Sequence, residues 1–535
     1  MHHPGLESGG ATRLDARLVP AALTCWVVTA AGIWWAIGRA VAACCVLLVA
    51  ASGLAWRAAC RRDETGRLRG VAAGLVAVGV TGAGFGFAVA LRAEAVDRHP
   101  ITAAFGAAGP VTVTPTESPV PLGRGRLMFR ATLQRLRDAQ TSGRVVVFAR
   151  AADFESPADV LMVGRPVRFT ARISRPTRRD LTVAVLNASG RPVAGTAGAV
   201  QRAAHALRGR FAAAVRDTLP AEQAAMLPAL VLGDTSAVTA ETERDFRAAG
   251  MTHLMAVSGA NVTIVCAAVL FSARLLGPRA AVVLAALTLV AFVVVVQPTA
   301  SVLRAAVMGV IALAGMLSSR RRQAIPALCG TVLGLLAVAP QLAVDVGFAL
   351  SVVATAALVV IAPAWSRRLV GRGCPKPLAD ALAVAVAAHV VTAPLVAGIS
   401  GRVSLVAVAA NLAAAPVIAP ITVLGSAAAV LSVAWPPGAQ ILIRFTGPEL
   451  WWVVRVAQWS AGAPAATVPV PSGVPGVLLV AAVTVVIVVM AARRRGRRWI
   501  GAAVGLGALC ALAWWLSTLL DPRAAWSVRR DTIVG

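Results

Sequence analysis

The residues best suited to chemistry in this chain stand where a lipid-facing sequence should have none. The stretch "MTHLMAVSGAN" (251–261) sets His253, Ser258, Gly259 and Asn261 within nine residues, directly before the apolar run "VTIVCAAVLF". Polar side chains at the head of a membrane span are costly unless something pairs with them or water reaches them, so they mark a functional position by default. Two chemistries suit the group. Ser258 in "AVSG", with His389 on another span, mimics a Ser–His dyad, although the first glycine of a G-x-S-G run is missing. The other reading is a polar path that binds and passes a substrate without reacting.

More polar residues follow in the apolar stretches. "QPTASVLRAAVMG" sets Gln297, Ser301 and Arg304 at spacings of four and three, which puts them on one helix face. "DVGFALSVVATAAL" sets Asp345 near the end of its span, and an Arg304–Asp345 pair is expected because two unpaired charges there would be costly. His389 lies in "HVVTAPLVAG" and Asn411 in "NLAAAPVIAP". Both stretches read as helices interrupted at depth, or as simple proline kinks; interrupted backbone is tolerated in lipid only where it lines a buried or wet path.

Other chemistry is excluded. Lys376 is the only lysine, and "GCPKP" around it cannot form a phosphate-cradling Walker A loop. The eight cysteines are scattered, with none between 61 and 265, and no H-x-H or H-E-x-x-H occurs among the six histidines. No disulfide framework, metal site or cofactor is expected. Gly330 and Gly334, and the run Gly82, Gly84, Gly86, read as helix contacts rather than a nucleotide loop.

The elements that hold these residues follow from composition. The chain has 535 residues, 58% of them hydrophobic and 14% charged, against about 25% charged in soluble domains. This is the composition of a polytopic α-helical membrane protein. Its net charge of +28 suits basic cytoplasmic loops or attraction to a polyanion. After a tail at 1–17, three transmembrane helices are expected within 18–91. The arginine-rich loop at 57–69 sets the N-terminus in the cytoplasm and the segment beyond residue 91 outside.

Residues 95–195 change character. The runs "VTVT", "LMFRATLQRL", "RVVVFA", "VRFTARI" and "LTVAVLN" alternate with period two, which predicts an extracytoplasmic OB-like β-barrel of about five strands. Between 92 and 197, sixteen arginines face eight acidic residues. Arg124, Arg126, Arg130, Arg144, Arg168 and Arg172 are the candidates for a groove that tracks single-stranded DNA; a plain structural cap is the alternative. Phe105, Phe129, Phe148, Phe154 and Phe169 are available to stack or to fill the core.

Amphipathic interfacial helices are expected over 198–250. In one, Leu207, Phe211, Val215 and Leu219 recur at spacing four; another is capped by Thr239 and ended by Gly250. A channel domain at 251–518 follows, with spans near 251–276, 280–296, 300–317, 324–340, 345–363, 378–398, 403–434, 438–460, 474–492 and 499–518, and then a tail at 519–535 on the outer side. The total is about thirteen transmembrane helices.

The stretch "LVLGDTSAVTAETERDFRAAGMTHLMAVSGANVTIV" (230–265) resembles the signature of ComEC-type competence proteins, with a Gly-Asp, a short acidic helix and a T-H-L-x-A-x-S-G run in that order. "PTASVLRAAVMG" (298–309), "DVGFALSVVATAAL" (345–358) and "NLAAAPVIAPITVLG" (411–425) match in the same order. The resemblance implies a channel that imports single-stranded DNA across the cytoplasmic membrane in natural transformation. Its pore-lining candidates are Asp234, His253, Ser258, Gly259, Asn261, Gln297, Ser301, Arg304, Asp345, His389 and Asn411. It implies single-stranded DNA and the lipid bilayer as partners, with a separate DNA receptor, motor and nuclease, and a homo-oligomer as a further partner state. No H-x-H-x-D-H nuclease motif is present, and Asn261 stands where relatives commonly carry histidine, so a conduit rather than an enzyme is expected. The alternatives are a secondary transporter of a small molecule and an intramembrane serine hydrolase.

Overall fold

The computed structural model describes residues 15–35, 37–61, 66–153, 161–317 and 323–492. Most of the tail at 1–17, Phe154, the basic stretch 318–322, the arginines at 493–498, the expected span at 499–518 and the tail at 519–535 lie outside the described residues.

Three helices open the chain: α1 (Val19–Trp35), α2 (Gly38–Arg61) and α3 (Gly66–Asp97). Six strands follow: β1 (Ala108–Pro115), β2 (Val120–Gly123), β3 (Arg126–Leu136), β4 (Ala139–Arg150), β5 (Val167–Ser174) and β6 (Ala184–Ala194). Then come α4 (Ala199–Thr218), α5 (Ala221–Leu232), α6 (Ala240–Ala248), α7 (Thr252–Met255), α8 (Gly259–Ser272), α9 (Pro278–Val296), α10 (Ala300–Leu317), α11 (Ala324–Val338) and α12 (Val346–Val360). The remainder comprises α13 (Ala362–Val370), α14 (Lys376–Ser400), β7 (Arg402–Ser404), α15 (Ala407–Ala434), α16 (Pro436–Phe445), α17 (Gly447–Ala461), β8 (Thr467–Pro469) and α18 (Val474–Ala492). Among the described residues, seven helices are long and apolar enough to cross a membrane, and five shorter ones are apolar. The chain is a polytopic helical membrane protein carrying a barrel insert.

Two compact units form. The first draws on Met1–Ala237, Leu254–Val359 and Ala419–Gly447, the second on Val238–His253, Val360–Ile418 and Pro448–Gly535. In the first, small residues decide how the opening helices meet. A Cβ on Gly79 would come within 2.6 Å of Val49, one on Gly82 within 2.5 Å of Cys45, and one on Gly86 within 3.1 Å of the Gly38 carbonyl. α2 and α3 therefore approach backbone to backbone, the packing that small residues permit in lipid. Gly84 and Gly334 face open space instead.

The five predicted strands close into a ring in the order β1–β5–β6–β4–β3 and back to β1, antiparallel except for β4 against β6. Leaving out the short β2, which hangs on β3, this is an OB-like barrel. Alternation built it: Val111, Val113, Phe129, Leu133, Val145, Val147, Phe169 and Ile173 point inward and are buried. Phe129 and Phe169 are core, whereas Arg126 lies over the ring of half-buried Phe148, 5.7 Å from its centroid.

α4 buries Phe211 and Val215, as its spacing predicts. α5 departs from the expected interfacial helices, since Ala224 and Met226 through Leu232 are all buried. Its sequence "AEQAAMLPALVL" is apolar on every face after the first turn, which suits a core helix rather than a surface one. The span expected at 251–276 is split, with α7 ending at Met255 and α8 starting at Gly259. The span expected at 438–460 is likewise two helices, α16 and α17.

In the second unit, α14 is continuous over 25 residues with Pro394 inside it. α15, which begins in the second unit and ends in the first, is one helix of 28 residues that includes Pro416 and Pro420. The interrupted-helix reading of both stretches is therefore corrected. A proline removes a single N–H and bends a helix, but neighbouring turns keep their bonds.

Candidate functional site

The signature residues do their local work at the end of a helix. Gly233 takes φ +70° and stops α5, with its N–H on Ala229 O (3.0 Å) and that of Asp234 on Pro228 O (3.2 Å). That is an αL-type cap, and it leaves other terminal carbonyls open. Asn261, only 5% exposed, donates from Nδ2 to Leu230 O at 2.8 Å. Its Oδ1 accepts from Ser258 Oγ at 2.9 Å. Arg208 on α4 covers the next opening: Nη1 donates to Leu232 O (3.0 Å) and to Val295 O near the end of α9 (3.1 Å). Its Nη2 lies 3.6 Å from Asp234 Oδ2. Burial pulls the Arg208 guanidinium below the ordinary arginine value, and Asp234 opposes that pull. This joint uses Asp234, Ser258 and Asn261 together. The Ser258 hydroxyl is committed to an amide oxygen, which is no general base, so the arrangement does not favour the dyad chemistry.

A second group lies between α8, α10 and α12. Arg304 donates from Nε to Ser351 Oγ at 2.5 Å and from Nη1 to Met308 Sδ at 3.4 Å. Ser301 and Ser351 stand 3.3 Å apart through their hydroxyls. The expected Arg304–Asp345 pair does not form. Ser351 is six residues beyond Asp345, roughly 9 Å along a helix, so Arg304 meets α12 too deep to reach the carboxylate.

Asp345 instead caps α12, accepting from Phe348 N at 2.8 Å, and its Oδ2 lies 3.9 Å from Arg130 Nη2 on the barrel. Arg130 also pairs with Glu117 at 3.1 Å. Gln297 likewise leaves the face it was expected to share with Ser301 and Arg304. It sits in the link between α9 and α10 at φ 76°, ψ 145°, a region nearly reserved for glycine that costs a side chain about 1–3 kcal/mol. Pro298 follows and cannot continue a helix. The Gln297 Oε1 accepts from Ser118 Oγ at 2.9 Å, again on the barrel. A cavity of about 260 Å³ opens here, with Gln297, Pro298, His205 and Arg208 in its wall.

In the second unit, Asn411 repeats the capping device. Its Nδ2 donates to Ala407 O (2.8 Å) and to Gly250 O (3.3 Å), just past α6, while Ser404 Oγ donates to Ala248 O at 2.7 Å. Thr239 caps the start of α6, accepting from Thr242 N at 3.2 Å. His253 is exposed on α7, and His389 is half-buried within α14.

The basic candidates on the barrel divide. Arg124, Arg126, Arg168 and Arg172 are exposed, the last two alternating outward along β5. Arg130 is committed to its carboxylates. Arg144 is half-buried, with Nη1 enclosed and unpartnered; burial pulls its pKa down, and nearby Asp180 opposes this. Arg130 and Arg144 thus leave the expected DNA groove, because their strands face Glu117, Asp180 and Asp345. Sequence reasoning missed Arg208, Glu117 and Ser118. The available signal for Arg208 was its place three residues before Phe211, on the edge of the apolar stripe.

A family model described as "Competence protein" matches residues 230–495, a range that holds every polar position from Asp234 to Asn411. ComE operon protein 3 of Bacillus subtilis (strain 168) is 31% identical over 156 residues, which make up 29% of this chain and 20% of that protein. The match thus spans a fifth of that curated relative's length. No solved structure matches.

Proposed function

The chain belongs, through residues 230–495, to the competence-protein family, and on that premise we propose that it is a channel importing single-stranded DNA across the cytoplasmic membrane during natural transformation. The observation that carries the reading is the reach of the family match, which runs across α8 to α12 and α14 to α15 and takes in the buried polar residues Asn261 and Arg304. The barrel, held outside the membrane, receives the strand through Arg124, Arg126, Arg168 and Arg172. The N-terminus is cytoplasmic. The chain acts as conduit, not catalyst, and works with a separate receptor, motor and nuclease, alone or as a homo-oligomer. The transporter reading leaned on helices broken at depth, and α14 and α15 are unbroken.

Uptake of labelled DNA by a competent host is the test. Deletion of the gene abolishes internalisation and the gene restores it; normal internalisation without the gene refutes the reading.

A further inference from the structure

Among the described residues, Arg304 is the one buried arginine, lysine, aspartate or glutamate, 7% exposed. Among the described residues no carboxylate joins it. One of its hydrogen bonds goes to Ser351 and another to the sulfur of Met308, a weak acceptor. An ionised group in that setting is costly without a counter-charge.

The third guanidinium nitrogen points to the unmet partner. A Cβ built on Gly259 would lie 2.6 Å from Arg304 Nη2, so the guanidinium rests directly against the first residue of α8. α8 runs for 14 residues, and its N-cap Ser258 makes no side-chain cap bond because its hydroxyl is turned to Asn261. The first-turn amides carry the positive end of the helix dipole. A buried cation and the uncapped start of α8 therefore meet. That pairing of guanidinium and backbone N–H groups is how proteins hold phosphate.

We propose that the start of α8 and the Arg304 guanidinium form a binding site for a phosphate group. Its occupant in the working channel is a backbone phosphodiester of the passing strand. The choice of occupant rests on the proposed function; the anion site does not. Ser351, its hydroxyl 3.3 Å from that of Ser301, holds the guanidinium in place, and Gly259 leaves room for it.

The test uses the full chain in nanodiscs of neutral phosphatidylcholine. Inorganic phosphate, compared with sodium chloride at equal ionic strength, raises the Tm of the wild type and leaves Arg304→Gln and Gly259→Ala unmoved. Gly259→Ala keeps the charge and only displaces it, so it carries the comparison if Arg304→Gln does not fold. A single-stranded oligonucleotide then binds Arg304→Gln about tenfold more weakly than the wild type. The slope of log affinity against log salt falls by about 0.7, the share of one phosphate.

Equal phosphate response in all three proteins, or none in the wild type together with an unchanged salt slope, overturns the site even if DNA still binds. Phosphate protection confined to the wild type without oligonucleotide binding upholds the anion site and removes the DNA reading. Stabilisation that needs phosphatidylglycerol in the nanodisc, with phosphate and oligonucleotide silent, makes Arg304 a headgroup contact and overturns the proposal.

Discussion

Asn261 satisfies a helix-end carbonyl and a serine at once, so its loss reaches further than one hydrogen bond. Asn261→Ala leaves Leu230 O without that donor in a buried setting and lowers stability by about 1–3 kcal/mol, read as thermal unfolding of the purified protein. Arg208→Met strips Leu232 O, Val295 O and Asp234 of their common partner. It costs about 3–5 kcal/mol, and the double variant with Asp234→Asn loses less than the sum of the singles. These roles were half legible. Residue type and position announced that Asn261 and Arg304 were out of place in lipid. The partner could not be read, because choosing Ser351 over Asp345 for Arg304 depends on the depth at which two helices cross. Gln297 could have been set apart from Ser301, since Pro298 in "QPTAS" already ends the helix before it.

At the scale of the element, the barrel was the most legible part. A period of two has one reading when one face of each strand is buried, and all five runs became ring strands. Phe129→Ala, in the core of β3, costs about 3–5 kcal/mol by opening a cavity, measured as faster hydrogen exchange across β3 and β4. His99, 8% exposed, holds the turn into the barrel: Nδ1 accepts from Ile101 N (3.2 Å), so Nε2 carries the proton toward Thr141 Oγ1 (2.9 Å). Burial pushes its pKa below the ordinary 6.5. The unfolded chain therefore takes up a proton first as pH falls. Barrel stability held above pH 6.5 drops below it and levels off once the lowered folded value is passed. Barrel exchange at pH 7.5 and 5.5 checks this, and His99→Gln flattens the difference. Proline was the ambiguous signal, since a kink and a break look alike in sequence; α14 and α15 are both continuous.

Across the first unit, side-chain pairs fasten the barrel to membrane helices at two points, Arg130 to Asp345 at the head of α12 and Ser118 to Gln297 in the α9–α10 link, and Arg179 donates to the Trp34 carbonyl of α1 (2.7 Å) at a third. Neither side-chain pairing had a sequence signal, because each joins residues more than 170 positions apart. Reversing Arg130 or Asp345 alone loosens the barrel and lowers DNA uptake, and the double reversal Arg130→Asp with Asp345→Arg restores part of both; no rescue would sink the pairing. The fastening also has a mechanical meaning. On the proposed function, a strand held by the barrel and drawn inward would load the protein along these ties. The pull would then arrive at the strained backbone of Gln297, at the first turn of α12 and at the end of α1. Tension on such a strand would thus reach a link already held out of its preferred geometry, and that link is where force would first become movement.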